Sequence, residues 1–124
     1  MIFFALAPGC GYIEPMKPDS NAIKIILSTH DDLLQAQELA RLLVEDRAAA
    51  CVNLIPNVTS VFQWEGKVQL ESEILLIIKT TAEKVPEVQA LLEEHHSYEV
   101  PEIVELDGEV LHQPYMEWVR DCLG

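Results

Sequence analysis

Ala50-Cys51-Val52-Asn53-Leu54-Ile55-Pro56-Asn57-Val58-Thr59-Ser60-Val61-Phe62-Gln63-Trp64 runs into Glu65-Gly66-Lys67. It then continues as Val68-Gln69-Leu70-Glu71-Ser72-Glu73-Ile74-Leu75-Leu76-Ile77-Ile78-Lys79-Thr80. Two β-type runs flank one tight turn at Glu65-Gly66. Strands in globular domains usually span about 5–6 residues, and each arm here is about twice that. A hairpin of this reach cannot cover itself within a small domain. Its surplus edge and apolar surface call for a partner, and the pattern predicts an obligate oligomer.

In the second arm Val68, Leu70, Ile74, Leu76 and Ile78 share one face. The alternate positions are polar at Gln69, Glu71 and Glu73 and apolar at Leu75 and Ile77. The tip half should therefore have one wet face, and the base should be buried on both. Pro56 in the first arm requires an edge position or a bend, because proline cannot donate to a ladder.

Outward from the hairpin, Ile23 to Thr29 reads as a strand. Asp31 and Asp32 offer helix caps, and a helical stripe of Ala36, Leu39, Ala40, Leu43 and Val44 follows. After the hairpin a second helix begins between Ala82 and Pro86, with Val88, Leu91 and Leu92 inward, and stops at His95-His96. Ile103 to Leu106 is a last strand and Gly108 a turn. Pro114 opens a final helix with Tyr115, Trp118, Val119 and Cys122 on one side. The order is strand, helix, strand, strand, helix, strand, plus a terminal helix. That is an α+β, ferredoxin-like βαββαβ sandwich with a long central hairpin.

The chain has 124 residues, 49% of them hydrophobic and 23% charged, enough for one globular domain. Its net charge of −13 speaks against nucleic acid and against an anionic membrane surface, both of which need clustered Lys and Arg. Three cysteines, Cys10, Cys51 and Cys122, without CxxC spacing fit free thiols in a reducing compartment. No apolar run reaches the ~20 residues of a membrane span. Residues 1–21 carry no periodic pattern and are interrupted by Pro8, Pro15 and Pro18. They are expected to be a disordered leader on a single domain of residues 22–124.

Signals for catalysis are absent, and the chain is read as no enzyme. The five glycines form no phosphate-cradling loop and there is no nucleophile elbow. One constellation has ligand chemistry, Glu93-Glu94-His95-His96-Ser97-Tyr98-Glu99-Val100-Pro101-Glu102. Imidazole with carboxylate suits borderline divalent metals. Adjacent histidines do not share a helix face, so both reach one ion only where the helix ends. The competing reading is a solvated C-terminal turn in which a protonated His stabilises the helix dipole. Lys79, at the end of a buried strand, either faces a cleft or pairs with a carboxylate. Trp64 at the hairpin tip is expected to wedge into a neighbouring subunit.

Ala49-Ala50-Cys51-Val52-Asn53-Leu54-Ile55-Pro56, Trp64-Glu65-Gly66-Lys67, Glu73 with Lys79-Thr80, His96 through Glu102, and Tyr115-Met116-Glu117-Trp118 together resemble the CutA divalent-cation tolerance family. The resemblance runs from Ile23 to Cys122. It implies a homotrimeric subunit with hairpins packed between subunits, bound to copper or another divalent metal. In some bacterial members a Cys on the first strand joins the two histidines at the metal. Here the histidines match as His95 and His96, and Ser28 stands where that Cys would be. A serine is a poor copper(I) ligand, which shifts the expected ion towards copper(II) or zinc, with Glu94 or Glu99 assisting. An alternative is a trimeric sensor or scaffold similar in architecture to the PII signalling proteins. Lys79, Tyr98 and Glu102 would then line an intersubunit cleft for a small molecule.

A chain beginning at Asn21 is expected to assemble and melt like the full sequence. Calorimetric melting of both checks it, and a large drop in midpoint would show that the leader packs on the domain.

Overall fold

The computed structural model describes residues 20–124. The expected leader therefore lies almost wholly outside the described residues. Its last two positions are held: the Val110 amide donates to the Asn21 carbonyl at 2.8 Å, and the Ala22 amide donates to Ser20 Oγ at 3.2 Å.

Strand β1 (Ala22–His30) leads into helix α1 (Leu33–Glu45), strands β2 (Cys51–Trp64) and β3 (Lys67–Thr80), helix α2 (Val85–His95), strand β4 (Val104–Glu109) and helix α3 (Gln113–Leu123). The sheet order is β2-β3-β1-β4, antiparallel throughout, so the βαββαβ expectation holds. Both hairpin arms are 14 residues long. Glu65 and Gly66 have φ of 53° and 79°, the pair of positive values that a two-residue hairpin turn of type I′ demands.

An edge position or a bend was expected at Pro56, and both occur there. Strand β2 is an edge strand, and its register shifts between Ile55, opposite Leu75, and Val58, opposite Glu73. One extra residue has entered β2, with Asn57 at φ 62°. Beyond the bulge the parity of β2 is reversed. Phe62 now shares a face with Gln69, and Trp64 with Lys67.

Alternation decides which face each strand residue serves. Ile26, Ile74, Leu76 and Ile78 point to the face on which Ala36, Leu39 and Leu43 of α1 and Val88 and Leu92 of α2 pack. Asp32 caps α1, its Oδ1 accepting the Gln35 amide at 2.9 Å. Below α1, the buried Thr80 hydroxyl donates to the Ala48 carbonyl at 2.6 Å. Ile23 has the opposite parity. It joins Ala50, Met116, Val119 and Leu123, so α3 covers the other face at the Ile23 end.

Several expectations need correction. The last strand is Val104–Glu109 and Gly108 lies inside it, opposite Ile23. A Cβ there would meet Ile23 Cγ2 at 3.0 Å, so the glycine answers a close approach and not a turn. A single 3-10 turn, Ala82–Lys84, precedes α2. Val44, expected in the apolar stripe of α1, is exposed. Helix α3 buries Met116, Val119 and Leu123 and leaves Trp118 45% exposed. Val68 and Leu70, expected on a buried face, are each 68% exposed within the single chain.

Candidate functional site

The sequence put His95 and His96 together, and the fold separates them. Helix α2 ends at His95, and His96, with φ −76° and ψ 142°, is already extended. His95 stays outside: Nε2 lies 3.7 Å from Glu94 Oε1, and the ring borders a shallow groove with Leu34, Glu38 and Leu42. His96 turns inward and is buried. Its Nε2 donates to the Thr29 carbonyl at 2.7 Å, and its Nδ1 accepts the Tyr98 amide at 3.0 Å. Both ring nitrogens are thus committed to the backbone.

His96 stacks on His30, with ring centroids 4.6 Å apart and planes at 28°. His30 is 1% exposed and its Nδ1 accepts the Asp32 amide at 3.0 Å. The two histidines repeat one device, a ring that caps the amide two residues downstream. In both, Nδ1 is an acceptor, so the neutral ring carries its proton on Nε2. Burial pushes the His30 pKa down, and the neighbouring His96 adds to this. Asp31, Asp32 and Glu73 pull the other way with less effect. Tyr98 packs beside the pair, tilted 49° to His96 with centroids 4.6 Å apart. Its hydroxyl donates to Glu73 Oε2 at 2.6 Å, and burial first, then this carboxylate, raises its pKa far above the ordinary range. Glu73 itself is buried, 8% exposed.

Trp64, Tyr98 and Glu102 border one groove of about 810 Å³ between the outer hairpin and the 98–102 segment of the same chain. Lys79 does not. It lies at the far end of β3, opposite Ile25 and Cys51. Ser28 is fully buried, and its Oγ has no hydrogen-bond partner among the described residues. Sequence reasoning missed His30. The reading ended the strand at Thr29, yet alternation from Ile26 through Ser28 already places residue 30 on the inward face. It also missed the burial of Glu73, which lies opposite Val58 and under the Tyr98 hydroxyl.

As a metal centre the arrangement fits in part. His95 offers a free imidazole with a carboxylate beside it, whereas His96 would have to release two backbone contacts first. Among the described residues no three His, Cys, Asp or Glu side chains converge as a metal shell would require.

The family model described as CutA1 divalent ion tolerance protein matches residues 24–122. This chain belongs to that family. It is 40% identical over 112 residues to the human Protein CutA, covering 90% of this chain and 59% of the relative. It thus spans about three fifths of that relative's length. The Divalent-cation tolerance protein CutA of Thermus thermophilus is 38% identical over 101 residues, covering 82% of this chain and 98% of the relative. A solved structure titled as the periplasmic divalent cation tolerance protein CutA from Archaeoglobus fulgidus superposes with a TM-score of 0.79 at 33% identity, covering 82% of this chain and 99% of that one. Among the described residues no helix is long and apolar enough to cross a membrane.

The His30 environment sets a pH dependence. The folded chain holds His30 neutral below the ordinary value of 6.5, where the unfolded chain takes up a proton. Its stability contribution is therefore complete above 6.5 and is lost as pH falls from there towards the folded pKa. His30→Asn keeps an acceptor for the Asp32 amide and does not titrate. Its thermal midpoint should fall less than the wild type's between about pH 7 and 5. Identical slopes would remove His30 as a source of acid sensitivity.

Proposed function

We propose that this chain is a homotrimeric, cytoplasmic metal-binding protein that contributes to tolerance of copper or another divalent cation, without enzymatic activity. The observation that carries this reading is the family match across nearly the whole described fold. The cleft-type sensor is the weaker reading, because Lys79 lies away from the groove that Tyr98 and Glu102 border.

Assembly has physical support. Helices α1 and α2 cover one face of the sheet, while α3 covers only one end of the other. Val104 and Leu106 there, with Ile55 opposite Leu75, remain exposed. So do Val61, Val68 and Leu70 on the outer hairpin. Burying apolar surface is worth about 25 cal/mol per Å², so matched copies gain by covering these faces. A closed ring of identical heterologous contacts satisfies every copy equally. Light scattering should give a trimer that persists at micromolar concentration. A stable species of 14.0 kDa, the single chain, would overturn this.

For the metal, His95 is the accessible ligand and Glu94 its nearest carboxylate. His96 and Ser28 enter only if the end of α2 opens, since the one has both nitrogens bonded and the other is fully buried. Copper(II) should bind more tightly than zinc, following the usual divalent order. Affinity should fall as pH drops through about 6–7, where imidazoles gain protons. Titration of wild type, His95→Ala, His96→Ala and Ser28→Cys separates the parts. His95→Ala should abolish the tight copper(II) phase, and His96→Ala should chiefly lower the melting midpoint. Ser28→Cys should raise copper(I) affinity only if that helix end opens. Equal copper(II) affinity in wild type and His95→Ala would take this residue out of the site.

A further inference from the structure

The turn that carries His96 is held to the rest of the fold at few points. Among the described residues no main-chain hydrogen bond joins 97–102 to another element. Glu99, Val100 and Glu102 in that stretch are exposed. The Tyr98 amide bonds to His96 Nδ1, a contact internal to the turn that moves with it. Two side-chain hydrogen bonds reach across to the sheet. His96 Nε2 donates to the Thr29 carbonyl of β1, and the Tyr98 hydroxyl donates to Glu73 Oε2 of β3. The stack on His30 adds packing. A segment tied so sparsely belongs to the low-stability end of a fold, where local opening precedes global unfolding.

The two ties differ in strength. A neutral imidazole on a carbonyl is an ordinary hydrogen bond, whereas a phenol on a carboxylate is charge-assisted and roughly twice as strong. The 2.6 Å separation of Tyr98 and Glu73 matches the second class. The anchor is also rigid: Glu73 is buried, lies opposite Val58 in the β2–β3 ladder and precedes Ile74 of the core. Burial and this carboxylate raise the Tyr98 pKa, so the phenol keeps its proton and stays a donor. Glu73 takes part in no ion pair among the described residues. Without the Tyr98 hydroxyl, the closed turn would hold a buried carboxylate with no donor from the chain.

We propose that the Tyr98–Glu73 hydrogen bond is a latch that sets the metal's ligands, an inference that rests on the reading of His95 as the accessible one. Closed, it withholds His96 and leaves His95 as the sole imidazole. Open, it frees the next ring at the point where α2 ends, the one place where adjacent histidines can share an ion. Tyr98 and Glu73 touch no metal in this scheme and act as positioning residues. Binding through both rings requires the open form, so its apparent affinity is reduced by the fraction of chains that are open.

Copper(II) titration and electron paramagnetic resonance on the full chain, in the assembly it forms in solution, test this. Wild type should show one coordinated imidazole. Tyr98→Phe keeps the ring and removes the hydroxyl. It should bind copper(II) about tenfold more tightly, the worth of one hydrogen bond to a charged group, and show a second imidazole. Glu73→Gln keeps an acceptor for the hydroxyl and should stay within about threefold of wild type, with no second imidazole. Adding His96→Ala to Tyr98→Phe should cancel the gain. A merely structural Tyr98 would lower the melting midpoint and move neither copper readout. Equal affinity and imidazole count in wild type and Tyr98→Phe, or a gain that survives His96→Ala, would overturn the proposal. So would a gain that accompanies a changed assembly by light scattering. His95→Ala tells the failures apart. Unchanged affinity there removes the metal reading and the latch with it, whereas loss there without a response to Tyr98→Phe removes the latch alone. Should Tyr98→Phe not fold, amide exchange on metal-free wild type decides. The Tyr98 amide should exchange well before those of Val88 and Leu92 in α2, and exchange of all three at one global rate would overturn the latch.

Discussion

The structure depends on an imbalance between sheet and helices. Four strands present two faces, and the β1–β3 pairing at their centre makes both faces apolar along most of its length. Helices α1 and α2 seal one of them with Ala36, Leu39, Leu43, Val88 and Leu92. Among the described residues α3 alone packs on the other, and its buried residues Met116, Val119 and Leu123 lie against Ile23 and Ala50. The rest of that face and the outer hairpin are not covered by the other described residues. Apolar surface of this extent is the physical ground on which the proposed assembly rests.

The elements that were legible in the sequence are those with strong local period. The hairpin, its two-residue turn, α1 with its Asp32 cap and α2 with its proline start could all be read from alternation, helical spacing and cap chemistry. What escaped depends on neighbours distant in sequence. Gly108 looks like a turn until Ile23 is placed beside it. Trp118 looks inward until the helix is set against Ile23 and Ala50, which select Met116 and Leu123 instead. The site suffered most. A pair of adjacent histidines suggests a shared ligand, but one turn of extended backbone at His96 sends the rings apart. The partner His96 found, His30, comes from a strand end 66 residues earlier in the numbering.

The stacked histidines also show how a polar group is kept in an apolar layer. Each ring satisfies its own Nδ1 with an amide two residues on, and His96 spends Nε2 on the Thr29 carbonyl. The cluster fastens the 96–98 turn to the end of β1, and Tyr98 extends the fastening to Glu73 on β3. The exposed His95 is left free by the same arrangement, because its neighbour performs the structural task. Two identical neighbours in sequence therefore sit in opposite environments, one exposed and one buried, and the dihedral angles between them decide which is which.

The single extra residue in β2 acts as a phase shifter for everything beyond it. Before Ile55 and after Val58 the two arms are in ordinary register, but the inside of one segment continues as the outside of the next. Side-chain identity in the outer arm is thus meaningful only relative to that one step. Evolution can lengthen or shorten the tip by matched pairs without altering which residues look towards Tyr98. Loss of the step at Pro56-Asn57 would exchange Phe62 and Trp64 with Val61 and Gln63 on every copy at once, and no substitution farther out could restore the former surface.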